Sequence, residues 1–516
     1  MRTNLWRMAS FLTLLAMLIS PIGFSGSASA APVENHAASG SMPTGMKLVE
    51  AAHVGVSQPL EALAANKATS AEEAPSYLKQ NPERLVLPKS LNGAADLQNA
   101  PAIEDAPVAN NMPATEANFE GVNNVSGVLP PDTDGDIGYD PITGKKYYLQ
   151  WVNLALQIWD VTNPAAPVAQ LASPVAGNTL WTGAGGICEA NNDGDPITLY
   201  DHIANRWMIS QFALSFPDNF HQCIAVSASG DPTGSWYLYD FQTSATVMND
   251  YPKFGVWPDG YYMSVNQFDG TTESWAGAGV AVFERAQMLQ GLPARMIYVN
   301  VGDVTLDYGG MLPSDLDGPA SAYGTPNYFM EWDDSTWLSD TSDTLRIWEF
   351  KVDWTTPANT TFGANSSFDP NLMLSTADAT PLCSGTRNCI DQPDTTQNLD
   401  AIADRLMFRL QYRDFGAYQT LVANHTVDAG SGRAGIHWFE LRDTGSGWSI
   451  YQDDIYAPAD TENRWMGSIA MDDNGNIALG YSVSSGTVYP SIRYSGRLSS
   501  DPLNDLPQGE AVMIAG

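Results

Sequence analysis

Aspartates recur in short acidic segments, each of which leads into a β-rich run. The segments read DTDGDIGYD (132–140), GDPITLYD (194–201), DYPKFGVWPDG (250–260), PSDLDG (313–318), LDAIADRLMFRL (399–410) and RWMGSIAMDD (464–473). Carboxylates that meet in space can coordinate a hard cation, transfer protons or accept hydrogen bonds from turns. Which chemistry applies depends on whether the fold brings these segments together.

Calcium is the first chemistry that the spacing suggests. DTDGD (132–136) and NNDGD (191–195) alternate oxygen donors in the way that Ca²⁺ prefers. The predicted ligands are Asp132, Asp134, Asp136, Asp193 and Asp195. Neither segment continues into an EF-hand, because the Glu at its twelfth position is absent. Aspartates that only cap turns are the favoured interpretation, and bound calcium is the alternative.

The second chemistry that the sequence suggests is acid–base catalysis on a carbohydrate. Hydrolysis of a glycosidic bond needs two carboxyl groups at a defined separation. Asp136, Asp195 and Glu331 come from three different repeats and are the candidate catalytic residues. The candidate ligand-binding residues, some of which could stack on sugar rings, are Trp151, Trp257, Trp332, Asp250 and Asp400. The alternative is that the tryptophans fill the space between repeats.

Other enzyme classes lack a signature. The sequence contains no GxSxG elbow, no HExxH helix and no phosphate-binding glycine loop. Its arginines are few and scattered, so the cluster with which a sialidase grips a carboxylated sugar is not evident. A serine triad assembled from remote repeats stays open, without support from any motif.

The spacing of the acidic segments predicts the fold. Successive segments are separated by 59 residues from Asp136 to Asp195, by 55 to Asp250, by 65 to Asp315, by 85 to Asp400 and by 65 to Trp465. Between them lie short runs rich in Val, Ile, Tyr and Trp, separated by turn residues. Repeats of four strands that stack radially form a β-propeller. We predict an all-β propeller of six four-stranded blades, with seven blades, the last one missing, as the alternative; a pair of sandwiches fits the regular spacing less well.

Three segments are distinguished along the chain. Residues 1–30 have a basic start, an apolar centre and a small-residue cleavage site at Ala28–Ala30, which predicts a secretory signal peptide. Residues 31–117 are rich in Ala, Pro, Asn and Glu and are predicted to form a linker or pro-segment. Residues 118–516 form the predicted propeller. The chain is therefore expected to be secreted and extracellular.

The charge narrows the range of partners. Removing Arg2 and Arg7 from the 24 basic residues leaves 22 against 58 acidic ones, a net charge of −36. Such a surface repels nucleic acids and anionic membranes. We expect an extracellular polysaccharide or protein partner, no membrane insertion and a monomeric protein.

The four cysteines predict disulfides, because an even number in an exported protein favours bridges over metal thiolates. Three connectivities are possible. The favoured pairs are Cys188–Cys223, within one repeat, and Cys383–Cys389, which closes the loop CSGTRNC.

Several motifs together resemble a family of large secreted bacterial β-propeller proteins that has no established activity. They are PPDTDGDIG, GDPITLYDHIANRW, DYPKFGVWPDGYYMS, LDAIADRLMFRLQYR and RWMGSIAMDDNGNIALGYS, and the similarity covers roughly residues 119–509. The resemblance implies the fold more than a function.

Two functions remain after these exclusions. The favoured one is a secreted propeller that binds an extracellular ligand, above all a glycan, through an acidic central face with calcium as its expected cofactor. The alternative is a glycoside hydrolase or lyase that uses carboxylates on the same face.

Overall fold

The computed structural model describes residues 41–66, 112–335, 341–380, 382–383 and 387–516. The predicted signal peptide, 1–30, lies outside the described residues, and so does most of the predicted linker. Within the described ranges, no helix has the length and apolar character needed to cross a membrane.

Part of the predicted linker belongs to the β-sheet structure. Strands β1 (Met46–Glu50) and β2 (His53–Val56) are followed by helix α1 (Leu60–Asn66), which buries Leu60 and Leu63. The two strands add to the outer edges of two sheets described below, which corrects the linker prediction for these residues. Their sequences are too short to show a period, and pairing with an existing sheet edge is what makes them strands.

The first three sheets follow the chain. Sheet 1 contains β3 (Asp134–Asp140), β4 (Lys145–Val152), β5 (Ala155–Asp160), β6 (Val168–Ala169) and β7 (Val175–Ala176). Sheet 2 contains β8 (Ile197–Asp201), β9 (Arg206–Ser215), β10 (Asn219–Ser227) and β11 (Trp236–Ser244), with β2 outside β11. Sheet 3 contains β12 (Val247–Trp257), β13 (Gly260–Asp269), β14 (Trp275–Phe283) and β15 (Arg295–Asn300), with β1 outside β15.

Three further groups complete the described strands. Sheet 4 contains β16 (Leu312–Asp317), β17 (Asn327–Asp333), β18 (Thr344–Lys351), β19 (Thr361–Phe362) and β20 (Leu372–Ser375); a two-stranded hairpin, β21 (Asn388–Ile390) and β22 (Leu399–Asp400), follows it. Sheet 5 contains β23 (Leu406–Asp414), β24 (Gln419–Asp428), β25 (Ala434–Asp443) and β26 (Trp448–Tyr456). Sheet 6 contains β27 (Asn463–Met471), β28 (Ile477–Ser484), β29 (Ser491–Arg497) and β30 (Ala511–Ile514).

Helical structure in the described residues is short. Two further one-turn α-helices, α2 (Ile187–Ala190) and α3 (Arg285–Met288), lie in connections. Three 3₁₀ helices cover Gly177–Trp181, Val301–Asp303 and Pro357–Asn359.

The sheets are arranged as a propeller. Within each, the first three strands pair antiparallel in chain order, and the first strands β3, β8, β12, β16, β23 and β27 lie next to one another in that order. These six are called the inner strands. The β-propeller prediction is confirmed, and the number of blades stays a prediction.

Apolar side chains fill the spaces between successive sheets. Sheets 1 and 2 share a core that contains Trp151, Trp207 and Trp236, and sheets 3, 4 and 5 share a core built on Trp257, Trp332 and Trp348. Large aromatic side chains suit these positions because the spaces widen toward the rim. The disulfides Cys188–Cys223 and Cys383–Cys389 both form, with Cα atoms 5.8 Å and 5.4 Å apart, which confirms the favoured pairing.

Residues 112–119 run from sheet 6 to sheet 1. The Asn118 side chain donates to the carbonyl of Met513 at 2.7 Å, and the Tyr494 hydroxyl donates to the carbonyl of Pro113 at 2.6 Å. At the other end of the segment, the Phe119 ring packs edge-on against Trp159, with centroids 5.6 Å apart. The segment thus links the first and last sheets of the described chain.

Candidate functional site

A left-handed residue lies before or within five of the six inner strands. It stands two positions before a regularly paired stretch that begins at Asp134, Ile197, Lys253, Leu312 or Ser468, and in β12 and β27 it lies inside the strand at the register change. Non-glycine residues rarely adopt positive φ, so its recurrence marks a turn that the fold requires. The residues are Asp132 (φ 43°), Asp195 (φ 48°), Tyr251 (φ 55°), Gly310 (φ 65°) and Met466 (φ 51°).

Aspartates of the inner strands hold the neighbouring inner strand. Asp134 Oδ2 accepts from the Thr198 N–H at 2.8 Å, and Asp136 Oδ2 accepts from the Tyr200 N–H at 2.7 Å, so β3 is attached to β8. Asp315 on β16 likewise accepts from Val256 N–H of β12 at 2.8 Å. Where the edge of an inner strand has no strand partner, its N–H groups need acceptors. The acidic repeats therefore have a structural role.

The same aspartates meet across the axis. Arg409 of β23 donates to Asp315 at 2.8 Å and to Asp317 at 2.5 Å, and its charge also acts on Asp136 of β3. Lys253 of β12 acts on Asp134 in the same way. Gln411 donates to Asp317. We call this set the axial cluster: Asp134, Asp136, Lys253, Asp315, Asp317, Arg409 and Gln411.

Two carboxyl groups of the axial cluster titrate near neutral pH. Burial among the inner strands raises the pKa of Asp134 to about 6 and that of Asp136 to about 7; the charge of Asp315 acts in the same direction, whereas Lys253 and Arg409 oppose the shift. For Asp317 burial acts to raise the pKa, but the charge and hydrogen bonds of Arg409, the hydrogen bond from Gln411 and the charge of Arg413 together lower it. Asp134 and Asp136 are half-buried residues whose carboxylates accept hydrogen bonds from the neighbouring strand. The cluster thus brings together carboxyl groups with raised and lowered pKa values.

The residues predicted to bind calcium accept hydrogen bonds from the protein. Asp132 accepts from the Asn153 amide at 2.7 Å, Asp193 from the Leu214 N–H at 2.7 Å, and Asp195 from the Tyr251 N–H at 3.1 Å. Burial raises the pKa of Asp193 to about 6. Across the described part of the chain, no three or more His, Cys, Asp or Glu side chains are grouped as a metal ion would require. Calcium stays a prediction.

The three candidate catalytic residues fall into different surroundings. Asp136 belongs to the axial cluster, whereas Asp195 accepts a hydrogen bond from the N–H of Tyr251 in β12. Glu331 is buried on β17, the second strand of sheet 4, where it accepts from the Gly309 N–H at 3.1 Å and pairs with Arg346 at 3.4 Å. Burial raises the pKa of Glu331 to about 8. The described partners of Glu331 are Gly309 and Arg346, whereas those of Asp136 are Tyr200 and Arg409. The two residues therefore have different surroundings.

The three candidate tryptophans lie in the packing between sheets. Trp151 and Trp257 are fully buried, and Trp332 is 3% exposed. Trp257 packs edge-on against Tyr412 with centroids 4.7 Å apart, and Trp332 packs on His425 at 4.2 Å. A sugar needs an exposed ring face, so the expectation that these tryptophans stack on a ligand is wrong.

Asp250 and Asp400 lie outside the axial cluster. Asp250 is half-buried at the irregularity in β12, where it acts on the charge of Arg405. Asp400 ends β22 and pairs with Arg387 at 3.0 Å, with more than a third of each side chain exposed. The inner strand of sheet 5 begins at Leu406, and Asp400 lies in the hairpin before it.

Sequence reasoning missed the basic half of the axial cluster. Arg409 stands in the motif RLMFRLQYR, but β23 changes register between Met407 and Gln411, so simple alternation does not show which side chains face the axis. Lys253 is likewise placed by the register change in β12. A basic residue within an acidic repeat was the available signal.

Comparisons with known proteins give only distant similarities. No protein-family model matches the sequence, and no curated protein matches it. Among solved structures, the chain is similar to an endo-arabinase from Bacteroides thetaiotaomicron VPI-5482 (10% identity, 60% of this chain and 95% of that one, TM-score 0.28). It is also similar to the polysaccharide lyase Uly1 (8%, 71% and 77%, TM-score 0.35) and to an α-L-arabinanase from Penicillium chrysogenum (10%, 72% and 94%, TM-score 0.32). At these scores the similarities carry no argument about function.

Proposed function

We propose that the protein is an extracellular β-propeller that binds a polysaccharide at the axial cluster. The observation that carries the proposal is the pair of half-buried aspartates Asp134 and Asp136 beside the cations Lys253 and Arg409. Sugar hydroxyls both donate and accept hydrogen bonds, so a wall that offers carboxylates and cations side by side complements them.

The surroundings support a glycan over other ligands. The net charge of −36 in the mature chain disfavours nucleic acids and anionic lipids. Two disulfides fit an oxidising, extracellular compartment. The axial cluster itself is polar, which suits a hydroxylated ligand better than an apolar one.

The pKa of Asp136 gives the proposal a pH dependence. An ionised carboxylate accepts hydrogen bonds from two or more hydroxyls, whereas the protonated form has lost part of that capacity. Because burial raises the pKa of Asp136 to about 7, affinity should rise between pH 6 and pH 8 and level off above it. Isothermal titration calorimetry across this range measures the change.

Asp136→Asn provides the mutational test. The amide keeps the size of the side chain and removes the negative charge, so binding should weaken about tenfold and lose its dependence on pH. Asp218→Asn is the matched control, because Asp218 is an exposed aspartate in the hairpin between β9 and β10. Retention on insoluble polysaccharides, followed by calorimetry with the retained glycan, gives the readout. Equal binding by both variants would place the glycan site elsewhere.

Catalysis at the same cluster is the second candidate. It is favoured by the separation of pKa values within the cluster, where Asp136 is raised to about 7 and Asp317 is lowered. A protonated and an ionised carboxyl group near one another can act as acid and base. New reducing ends or unsaturated products from a polysaccharide panel, lost in Asp136→Asn, would establish an enzyme. Retention without products would leave the binding function.

We also propose that a calcium ion binds the 132–136 segment. If the ion binds Asp132 and its neighbours, 1 mM EDTA should lower the thermal midpoint, and Asp132→Asn should remove that sensitivity. The same midpoint with and without EDTA would reject calcium as a structural cofactor.

A further inference from the structure

A cavity opens beside Asp317 and Gln411 of the axial cluster. Its volume is about 430 Å³, within the ~300–1,000 Å³ range of small-molecule sites. Residues that end β16, β27 and β29 line it, together with Met112 and Pro113. Its polar lining consists of Asp317, Gln411, Asp472, Asn476, Arg497 and Gln508.

Arg497 is the unusual member of this lining. Its side chain is 3% exposed, and Nη2 donates to the main-chain carbonyls of Asp501 at 2.8 Å and Pro502 at 3.4 Å. Nε has no partner among the described residues. A buried guanidinium with neither a carboxylate nor a full set of acceptors is costly. An anionic ligand in the cavity would offset that cost.

The carboxylates of the cavity already have partners. Asp317 is paired with Arg409, and Asp472 accepts from the N–H groups of Asn474 at 2.9 Å and Asn476 at 2.8 Å. Asp501, whose carbonyl accepts from Arg497, has its carboxylate bonded to Leu498 N–H at 2.7 Å. Arg497 therefore remains as the cation to which an incoming anion would bind.

The rest of the wall fits a sugar ring. The carboxamides of Asn476 and Gln508 line the cavity and also bond to Asp472 and Asp501 within the protein, which fixes their orientation. Ala478 and Leu498 provide an apolar surface against which the C–H face of a ring can lie. We propose that this cavity binds a uronic-acid residue, with the planar carboxylate of the sugar against the guanidinium of Arg497.

The test uses the full chain and D-glucuronate as the probe, with D-glucose and acetate as comparisons. We expect glucuronate to bind with a Kd at least tenfold lower than either, as measured by calorimetry. Arg497→Gln should raise that Kd tenfold or more, and Arg497→Lys should recover it only in part, because lysine is a point charge. Arg206→Gln is the matched control, since Arg206 also donates to main-chain carbonyls and has an unpartnered Nε but lies outside this cavity.

A second variant keeps the test decisive if Arg497→Gln fails to fold. Ala478 is exposed on β28 and lines the cavity, so Ala478→Phe fills the space without entering the core. It should abolish glucuronate binding and leave the unfolding midpoint unchanged. The proposal is overturned if glucuronate binding survives both variants, if glucuronate does not bind at 10 mM, or if glucose binds with equal affinity. Equal affinity for acetate overturns the sugar specificity. Asp136 does not line the cavity, so Asp136→Asn should leave glucuronate binding intact, although the cavity shares Asp317 and Gln411 with the axial cluster.

Discussion

Two boundaries between sheets are built in opposite ways. At the boundary of sheets 4 and 5, the inner strands β16 and β23 pair directly in parallel, from Ser314 opposite Leu410 to Asp317 opposite Arg413. At the boundary of sheets 6 and 1, apolar side chains are exposed on the outward faces. Ile137 (58%) and Tyr139 (51%) lie on sheet 1, and Ile492 (43%) and Val512 (50%) lie on sheet 6.

The direction of these side chains follows from strand alternation. A Cβ on Gly138 would meet Tyr200 and Trp207 of sheet 2, so Ile137 and Tyr139 point the other way. On β27, Ile469 and Met471 share a core with sheet 5, so the exposed Ser468 and Ala470 face away from it. Paired inner strands and ion pairs thus stabilise the boundary between sheets 4 and 5. At the boundary between sheets 6 and 1, residues 112–119 connect the two sheets. The two boundaries should respond very differently to substitution.

The largest effect is expected from Arg409→Ala. It removes the cation that holds Asp315 and Asp317 at the boundary of sheets 4 and 5, leaving carboxylates crowded in a partly buried site. We expect a loss of about 3 kcal/mol in the free energy of unfolding, measured by urea denaturation. Arg387→Ala is the control, because its pair with Asp400 is exposed and should contribute less than about 1 kcal/mol. Equal losses would mean that the axial ion pairs do not stabilise this boundary.

Acid should weaken the same boundary through His425. The ring is fully buried between Trp332 and Phe439, beside His437, which bonds Asp453 at 3.1 Å. Burial, followed by the nearby His437, lowers the pKa of His425 well below 6.5, so the unfolded chain takes up a proton there before the folded one does. Its contribution to stability is complete above pH 6.5 and falls by up to about 1.4 kcal/mol per pH unit below that.

His425→Phe isolates this effect. The phenyl ring keeps the aromatic packing and cannot titrate, so the variant should lose less stability than the wild type between pH 6.5 and pH 5. The difference between the two proteins is the required quantity, because Asp136 and Glu331, with raised pKa values, bind protons more tightly when folded and contribute the opposite slope. Parallel pH profiles of the urea midpoint would show that His425 is not the titrating group.

The sequence predicted the propeller because spacing and turn chemistry recur. The acidic segments it singled out supply Asp134, Asp136, Asp315 and Asp317 of the axial cluster, whereas Asp250 and Asp400 from the same segments lie outside it. The sequence did not predict Arg409 or the division of Glu331 from Asp136. Register changes in β12, β23 and β27 decide which side chains face the axis, and they depend on pairing with a distant strand. It also assigned Trp151, Trp257 and Trp332 to a ligand, because the types of residue that stack on sugars are those that fill the spaces between sheets.

The smallest effect is expected at the other boundary. Ile137→Ser should change the free energy of unfolding by no more than about 0.5 kcal/mol, because the side chain is already exposed. Leu149→Ala on the paired strand β4 is the contrasting variant; Leu149 is fully buried, and its truncation should cost about 3 kcal/mol. A loss above about 1 kcal/mol for Ile137→Ser in a monomeric sample would mean that sheets 1 and 6 pack against each other in solution. Light scattering on the same samples separates that packing from association between molecules, since a hydrophilic serine on an exposed apolar face should also reduce any self-association.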